Sequence, residues 1–240
     1  MNALKQIIKA STGYWIHKLK TLPIGTDFFY DITERLQYGR LKIVFDVGAN
    51  EGQTIQWIKH YQPAAKIYSF EPVSSTFDKL KKNIVGYRDC IIENIAIGEA
   101  KGQKKIKLFN EYSVLNSLKD EAMNHNPGGK EELITIKTLD NYCRENNIHH
   151  IDLLKIDTEG YELNVLQGGE NLLAEKRISF IYCEVGFNQT NQRNTYFENV
   201  TTFLAKRDYF FYALYQIDSH DWKNGNHLAN ALYIQKSVFC

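Results

Sequence analysis

Lys42-Ile43-Val44-Phe45-Asp46-Val47-Gly48-Ala49-Asn50-Glu51-Gly52-Gln53-Thr54 decides how this chain folds. Ile43, Val44, Phe45 and Val47 are β-branched or aromatic and read as a short strand. The run breaks at Gly48 and Gly52 into a turn. From Gln53 through Trp57, Ile58 and Tyr61 the apolar spacing becomes helical. Strand, glycine turn and helix form the ligand-binding corner of a doubly wound α/β sheet. The spacing is Gly-x-x-x-Gly, and no Lys-Ser or Lys-Thr follows, so neither a dinucleotide fingerprint nor a phosphate-cradling loop is present. Asp46 at the end of the strand would repel a pyrophosphate. A cationic or hydroxyl-rich ligand suits it better.

Four further stretches follow in order: Phe70-Glu71-Pro72, Asn94-Ile95-Ala96-Ile97-Gly98, Thr138-Leu139-Asp140 and Leu153-Leu154-Lys155-Ile156-Asp157-Thr158-Glu159-Gly160-Tyr161-Glu162. With the opening motif, this series resembles class I S-adenosylmethionine-dependent methyltransferases, and more narrowly the FkbM family of O-methyltransferases. The resemblance spans roughly residues 41 to 185. It implies a Rossmann-like, mostly parallel seven-stranded sheet with an antiparallel last strand and helices on both faces. It also implies S-adenosylmethionine as cofactor, held around Asp46, Gly48, Ala49, Asn50, Gly52 and Thr54. Adenine is expected beside Asn94 and Ala96, and the transferable methyl beside Asp157.

Composition bounds the rest. A chain of 240 residues with 43% hydrophobic content can bury one sizeable core. Its net charge of +1 gives no electrostatic footprint for nucleic acid. Cys90, Cys143, Cys183 and Cys240 are widely spaced, which suits free thiols and a reducing cytoplasm. No apolar run approaches the roughly 18 residues of a membrane span.

Residues 1–40 read as a helical extension ahead of a methyltransferase domain at 41–240. Leu4, Ile7, Ile8, Trp15, Ile16 and Leu19 recur near helical spacing, and Lys5, Lys9, Lys18 and Lys20 meet no acid in the first 20 residues of sequence. Such a segment packs on its own domain, covers the cofactor, supports a homodimer, or lies on an anionic membrane. Phe28 to Tyr38 reads as a second short helix. Cys90 to Ile97 reads as the third strand, and Ile106, Leu108 and Leu133 to Ile136 belong to further strands. The polar stretch 110–131 contains Ser113, Asn116, Ser117 and His125, and is long enough to be functional.

Acids mark the carboxyl ends of four of the five expected parallel strands: Asp46, Glu71, Asp157 and Glu184. In such sheets that edge faces the ligand crevice. Glu71 is placed to accept the ribose hydroxyls, with Pro72 fixing the chain after it. Transfer to a hydroxyl needs a general base. Asp157 and Glu159 are the first candidates, Glu184 the next, and His220 or His227 the competitors. Alternatively, Asp157 and Glu184 hold a divalent ion that acidifies the acceptor. The resemblance suggests a glycan or glycolipid sugar as acceptor, with a polyketide-like small-molecule alcohol as the alternative. A dehydrogenase lacks its glycine signature here. A non-catalytic S-adenosylmethionine-binding partner subunit is the remaining rival.

Overall fold

The computed structural model describes residues 3–14, 16–108, 130–188, 194–218 and 227–239. A ten-residue helix, α1 (Ala3–Thr12), opens the chain and stops where Gly13 turns left-handed at φ 74°. The expected helical pattern ran on to Leu19, but the left-handed glycine ends it early. A short helix, α2 (Phe28–Tyr30), then passes into a π-turn over Asp31–Arg35. It ends before Tyr38.

The main sheet comprises β1 (Ile43–Val47), β2 (Lys66–Phe70), β3 (Cys90–Glu93), β7 (Ile151–Ile156), β8 (Ile178–Gly186), β9 (Tyr209–Tyr215) and β10 (Leu228–Gln235). Their order is β3-β2-β1-β7-β8-β10-β9. The first five run parallel, and β10 lies antiparallel between β8 and β9. This is the class I methyltransferase arrangement that the sequence implied. The strand order reverses at β1, which leaves the crevice a doubly wound sheet uses for its ligand.

Alternation along the strands divides the core into two layers. Val44, Leu153 and Phe180 sit in register and face α3 (Gln53–Tyr61) and α4 (Ser74–Asn83). Phe45, Leu154 and Ile181, one residue on, face α5 (Leu139–Glu145), α6 (Glu162–Gln167), α7 (Glu170–Ala174) and α8 (Phe197–Ala205). All six side chains are completely buried, each contributing about 1.5–3 kcal/mol of transfer free energy. Phe28, Phe29 and Ile32 join the α3 layer, where Phe28 meets Trp57, Tyr182 and Tyr215. The latter part of residues 1–40 is therefore built into the core.

Cys90–Ile97 was expected as one strand, but it divides. After Glu93 the chain leaves the main sheet, and β4 (Ala96–Ile97) pairs with β6 (Lys130–Lys137) in a second sheet of order β4-β6-β5, with β5 at Gly102–Leu108. The break coincides with Asn94, whose side-chain amide donates to the carbonyls of Glu71 and Pro72, both at 2.9 Å. Val73, Ala96, Ile106, Ile134, Ile136 and Tyr161 form the small core beneath this sheet. It walls one side of the crevice.

Candidate functional site

Gly48 has φ 84°, and a Cβ built there would lie 1.8 Å from the Asp157 carbonyl oxygen. No other residue type fits such an approach. The turn after β1 is thus pressed against the loop after β7, while Gly48 N and Ala49 N donate to Phe70 O of β2. Gly52, at φ 98°, serves a different purpose. Its missing Cβ makes room for Leu80 and Ile84, seating α3 on α4 outside the cleft.

Glu71 follows β2 and is 7% exposed. Its carboxylate accepts from Asn50 N at 3.1 Å and from Val73 N at 2.9 Å. Burial outweighs these bonds and pushes its pKa up to about 7. Each oxygen keeps a lone pair for a further donor.

The acids beyond the turn share a single buried lysine. Asp46 and Glu184 lie inside β1 and β8, not at the strand ends as expected, whereas Glu71 and Asp157 come directly after theirs. Asp46 is completely buried. Lys155 Nζ stands 3.7 Å from its Oδ1 and 3.1 Å from Asp157 Oδ2. Asp46 Oδ1 has no hydrogen-bond partner, and Ser69 reaches Oδ2 only at 3.5 Å. Burial raises the Asp46 pKa despite Lys155. For Lys155, burial acts downward, but Asp157 and Asp46 prevail and raise it. Glu184 is pushed up to about 9, first by burial, then by Asp157, Glu159 and Glu162. Its Oε2 accepts from Asn194 Nδ2 at 3.1 Å.

Glu162, at 0% exposure, holds the loop that carries Asp157 and Glu159. Its Oε1 accepts from Thr158 N at 2.9 Å, Thr158 Oγ1 at 3.0 Å and Gly160 N at 3.1 Å, and its Oε2 from Thr195 Oγ1. Within this loop Glu159 sits at φ 53°, a left-handed conformation that costs a non-glycine residue about 1–3 kcal/mol. Asn50, across the cleft, is also left-handed at φ 48°.

These parts enclose a cleft of about 910 Å³, its open mouth included. One wall is apolar, made by Phe70, Pro72, Val73, Ala96, Ile97 and Ile106, and the other carries Asp157, Glu159 and Glu184. Gly48, Asn50 and Glu71 lie between them. A second arm shares Gly48, Asn50 and Asp157 and runs under α3, past Ala49, Gln53, Thr54, Trp57, Lys155, Tyr182, Gln216 and Asn230.

Most residues expected in the site meet here: Gly48, Ala49, Asn50, Thr54, Glu71, Pro72, Ala96, Asp157, Glu159 and Glu184. Asp46, Gly52, Asn94 and His227 do not line the cleft, Asp46 because it is completely buried. Asn94 spends its amide on the carbonyls of residues 71 and 72, and the His227 carbonyl accepts from Phe187 N. Ser113, Asn116, Ser117, His125 and His220 lie outside the described residues. Glu162 stands in the motif of residues 153–162 with nothing in the sequence to mark its role, and Val73 and Ile106 read in sequence as ordinary core. Among the described residues, no group of three or more His, Cys, Asp or Glu side chains is arranged to hold a metal ion.

The Methyltransferase FkbM domain matches residues 46–211. The chain belongs to this family. The FkbM relatives include the 2-O-methyltransferase NoeI of Sinorhizobium fredii, 25% identical over 59% of this chain and 62% of that protein. The 31-O-demethyl-FK506 methyltransferase FkbM of Streptomyces tacrolimicus is 25% identical over 54% and 60%. Methyltransferase sdnD of Sordaria araneosa is 28% identical over 60% and 66%. The chain thus spans less than two thirds of each of these relatives. Among solved structures, M. capricolum TrmK with S-adenosyl-homocysteine aligns at TM-score 0.48 and 11% identity, over 81% of this chain and 62% of that one.

The cleft fits the FkbM cofactor, S-adenosylmethionine. The apolar wall suits a flat base, and Glu71 stands where ribose hydroxyls can donate. The acid-rich wall suits a cationic sulfonium. In the second arm, Lys155 together with the α3 N-terminus offers donors to a carboxylate.

Proposed function

We propose that this chain is an S-adenosylmethionine-dependent O-methyltransferase whose acceptor is a hydroxyl of a saccharide or glycolipid. The observation that carries the proposal is the meeting, at one glycine turn, of an apolar slot and a cluster of under-neutralised acids. The names of the 2-O- and 31-O-demethyl-FK506 methyltransferases support oxygen as the atom methylated. The cofactor supplies an electrophilic methyl group on a sulfonium. What remains for the protein is to align two ligands and to remove one proton.

Glu184 is the group assigned to that proton. Asp157 is engaged by Lys155, whereas Glu184 has one side-chain amide on it and a raised affinity for protons. With a sulfonium bound, its charge would offset the neighbouring carboxylates and favour ionised Glu184, which would accept the hydroxyl proton as the C–O bond forms and the methyl's bond to sulfur breaks, leaving a neutral thioether. Glu159 and Asn194 supply further acceptors and donors to a polyol at the same lip. Glu71 holds the cofactor, and Lys155 keeps Asp46 and Asp157 from repelling one another.

The test is turnover of methyl-labelled S-adenosylmethionine against a panel of cell-envelope glycans, glycolipids and polyketide alcohols. Glu184→Gln is expected to lower kcat by about 10²–10⁴-fold, with S-adenosylhomocysteine affinity within a few-fold of the parent. If Asp157→Asn is dead and Glu184→Gln turns over normally, the base is Asp157. Tight cofactor binding without turnover on any acceptor would favour the non-catalytic subunit.

A further inference from the structure

The segment ahead of α2 is chemically unlike the rest of the molecule. Its first acid is Asp27. Before that come Lys5, Lys9, Lys18 and Lys20, so a chain of net charge +1 carries +4 here and −3 beyond. In α1, Ile7 and Ser11 lie on one side and Lys5 and Lys9 on the other, with Ile8 at the boundary between Ser11 and Lys5, as the helical period requires. Ser11 Oγ donates to Ile7 O and Thr12 Oγ1 to Ile8 O. With those hydroxyls turned onto the backbone, Ser11 interrupts the apolar face little. On the helix Ile7 is 63% exposed and Ile8 part-buried, and beyond it Tyr14 is 74%, Ile16 45% and Leu19 64% exposed. Isolated exposed apolar residues need no explanation, but these sit together within one acid-free, lysine-rich segment.

The segment is also held at a definite place. Leu22 O accepts from Arg35, Gly25 N donates to Asp31 Oδ2 at 2.9 Å, and Tyr215 Oη donates to the same oxygen at 2.7 Å. Gly25 approaches β9 so closely that a Cβ would stand 2.5 Å from Leu214 O. Tyr215 ends β9 at the carboxyl edge of the sheet, and Gln216, the next residue, lines the second arm of the cleft. The basic segment therefore leaves the folded body beside the cleft mouth.

We propose that residues 5–20 dock the protein on an anionic phospholipid surface, with Ile7, Ile8, Tyr14, Ile16 and Leu19 entering the interface and the lysines pairing with headgroups. Charge complementarity selects this occupant: a lysine-rich amphipathic helix gains from both burial and surface potential on an anionic bilayer. The proposal goes beyond the methyl-transfer reading and is independent of it. It places the cleft mouth near lipid-borne acceptors.

Co-sedimentation of the full chain with vesicles tests it, using phosphatidylcholine alone and an equimolar mixture with phosphatidylglycerol, without cofactor. The chain is expected to partition onto the anionic vesicles at least about tenfold more strongly than onto neutral ones, and to detach as salt is raised. Ile7→Asp and the double change Lys5→Glu with Lys9→Glu are each expected to lower that partitioning about tenfold or more. Their melting temperatures should not change, because these side chains lie outside the core. Absent binding, equal binding to both vesicles, or an Ile7→Asp variant that binds as the parent does would each overturn the proposal. So would a solution dimer that Ile7→Asp dissociates, since the occupant would then be a second copy of the chain.

Discussion

Asp152 and Asp46 are buried aspartates on neighbouring strands, one at the start of β7 and the other near the end of β1. At the amino edge of the sheet, Asp152 accepts from Lys42 N at 2.8 Å, Ile43 N at 2.7 Å and Tyr38 Oη at 2.7 Å. At the carboxyl edge, Asp46 has no hydrogen bond at Oδ1, where the Lys155 ammonium stands 3.7 Å away, and only a long one from Ser69 at Oδ2. The same contrast recurs between Glu162, surrounded by four donors, and Glu184, which has one side-chain amide and several anions for neighbours. Acids satisfied by their own chain fasten loops and strand starts. Acids left short of donors or cations gather where a ligand can supply them.

The largest effect expected from this contrast is on stability. Glu162→Ala leaves two backbone N–H groups and two hydroxyls without their acceptor in a dry interior, at a cost of about 3–5 kcal/mol. Urea denaturation measures it, and a loss below about 1 kcal/mol would show that the loop holds itself.

A middle-sized effect falls on ligand binding. Asp46→Asn removes a charge whose desolvation offsets its attraction to Lys155, so stability should move by no more than about 1 kcal/mol. S-adenosylmethionine affinity by calorimetry should nonetheless fall about tenfold or more. Asp152→Asn should show the reverse, losing stability and keeping affinity. Identical behaviour of the two variants would break the comparison.

The smallest effect is a pH dependence. Folded Glu184 keeps a proton to about pH 9 that an ordinary glutamate releases near 4.5, so its contribution to stability is lost progressively as pH rises between those values. Glu184→Gln should melt with the parent near pH 4.5 and increasingly above it toward pH 9. A melting difference that is constant with pH would mean that Glu184 is not held protonated.

What could be read in the sequence was local. The motif from Ile43 to Thr54, and the acids that follow later strands, have characteristic neighbours within a few residues. The second sheet was not legible, because Ala96 finds its partner at Ile136 across a long interval that no periodicity encodes. Asn94 looked like a base-reading residue because an amide beside an apolar strand has that chemistry. Only the fold shows the two carbonyls that occupy it. Glu162 had a faint signal, a glutamate four residues after Thr158, which resembles a helix cap with longer spacing. The cleft residues Phe70 and Ile106 carried none, since a side chain facing a cavity and one facing the core look alike in sequence.

The contact between Gly48 and the Asp157 carbonyl has a mechanical meaning. With no gap between them, the turn at Gly48 and the loop that carries Asp157 and Glu159 form one stiff lip. A ligand that shifts either must carry the other with it. Seating one reactant therefore sets the position of the groups that meet the second, before that second reactant arrives.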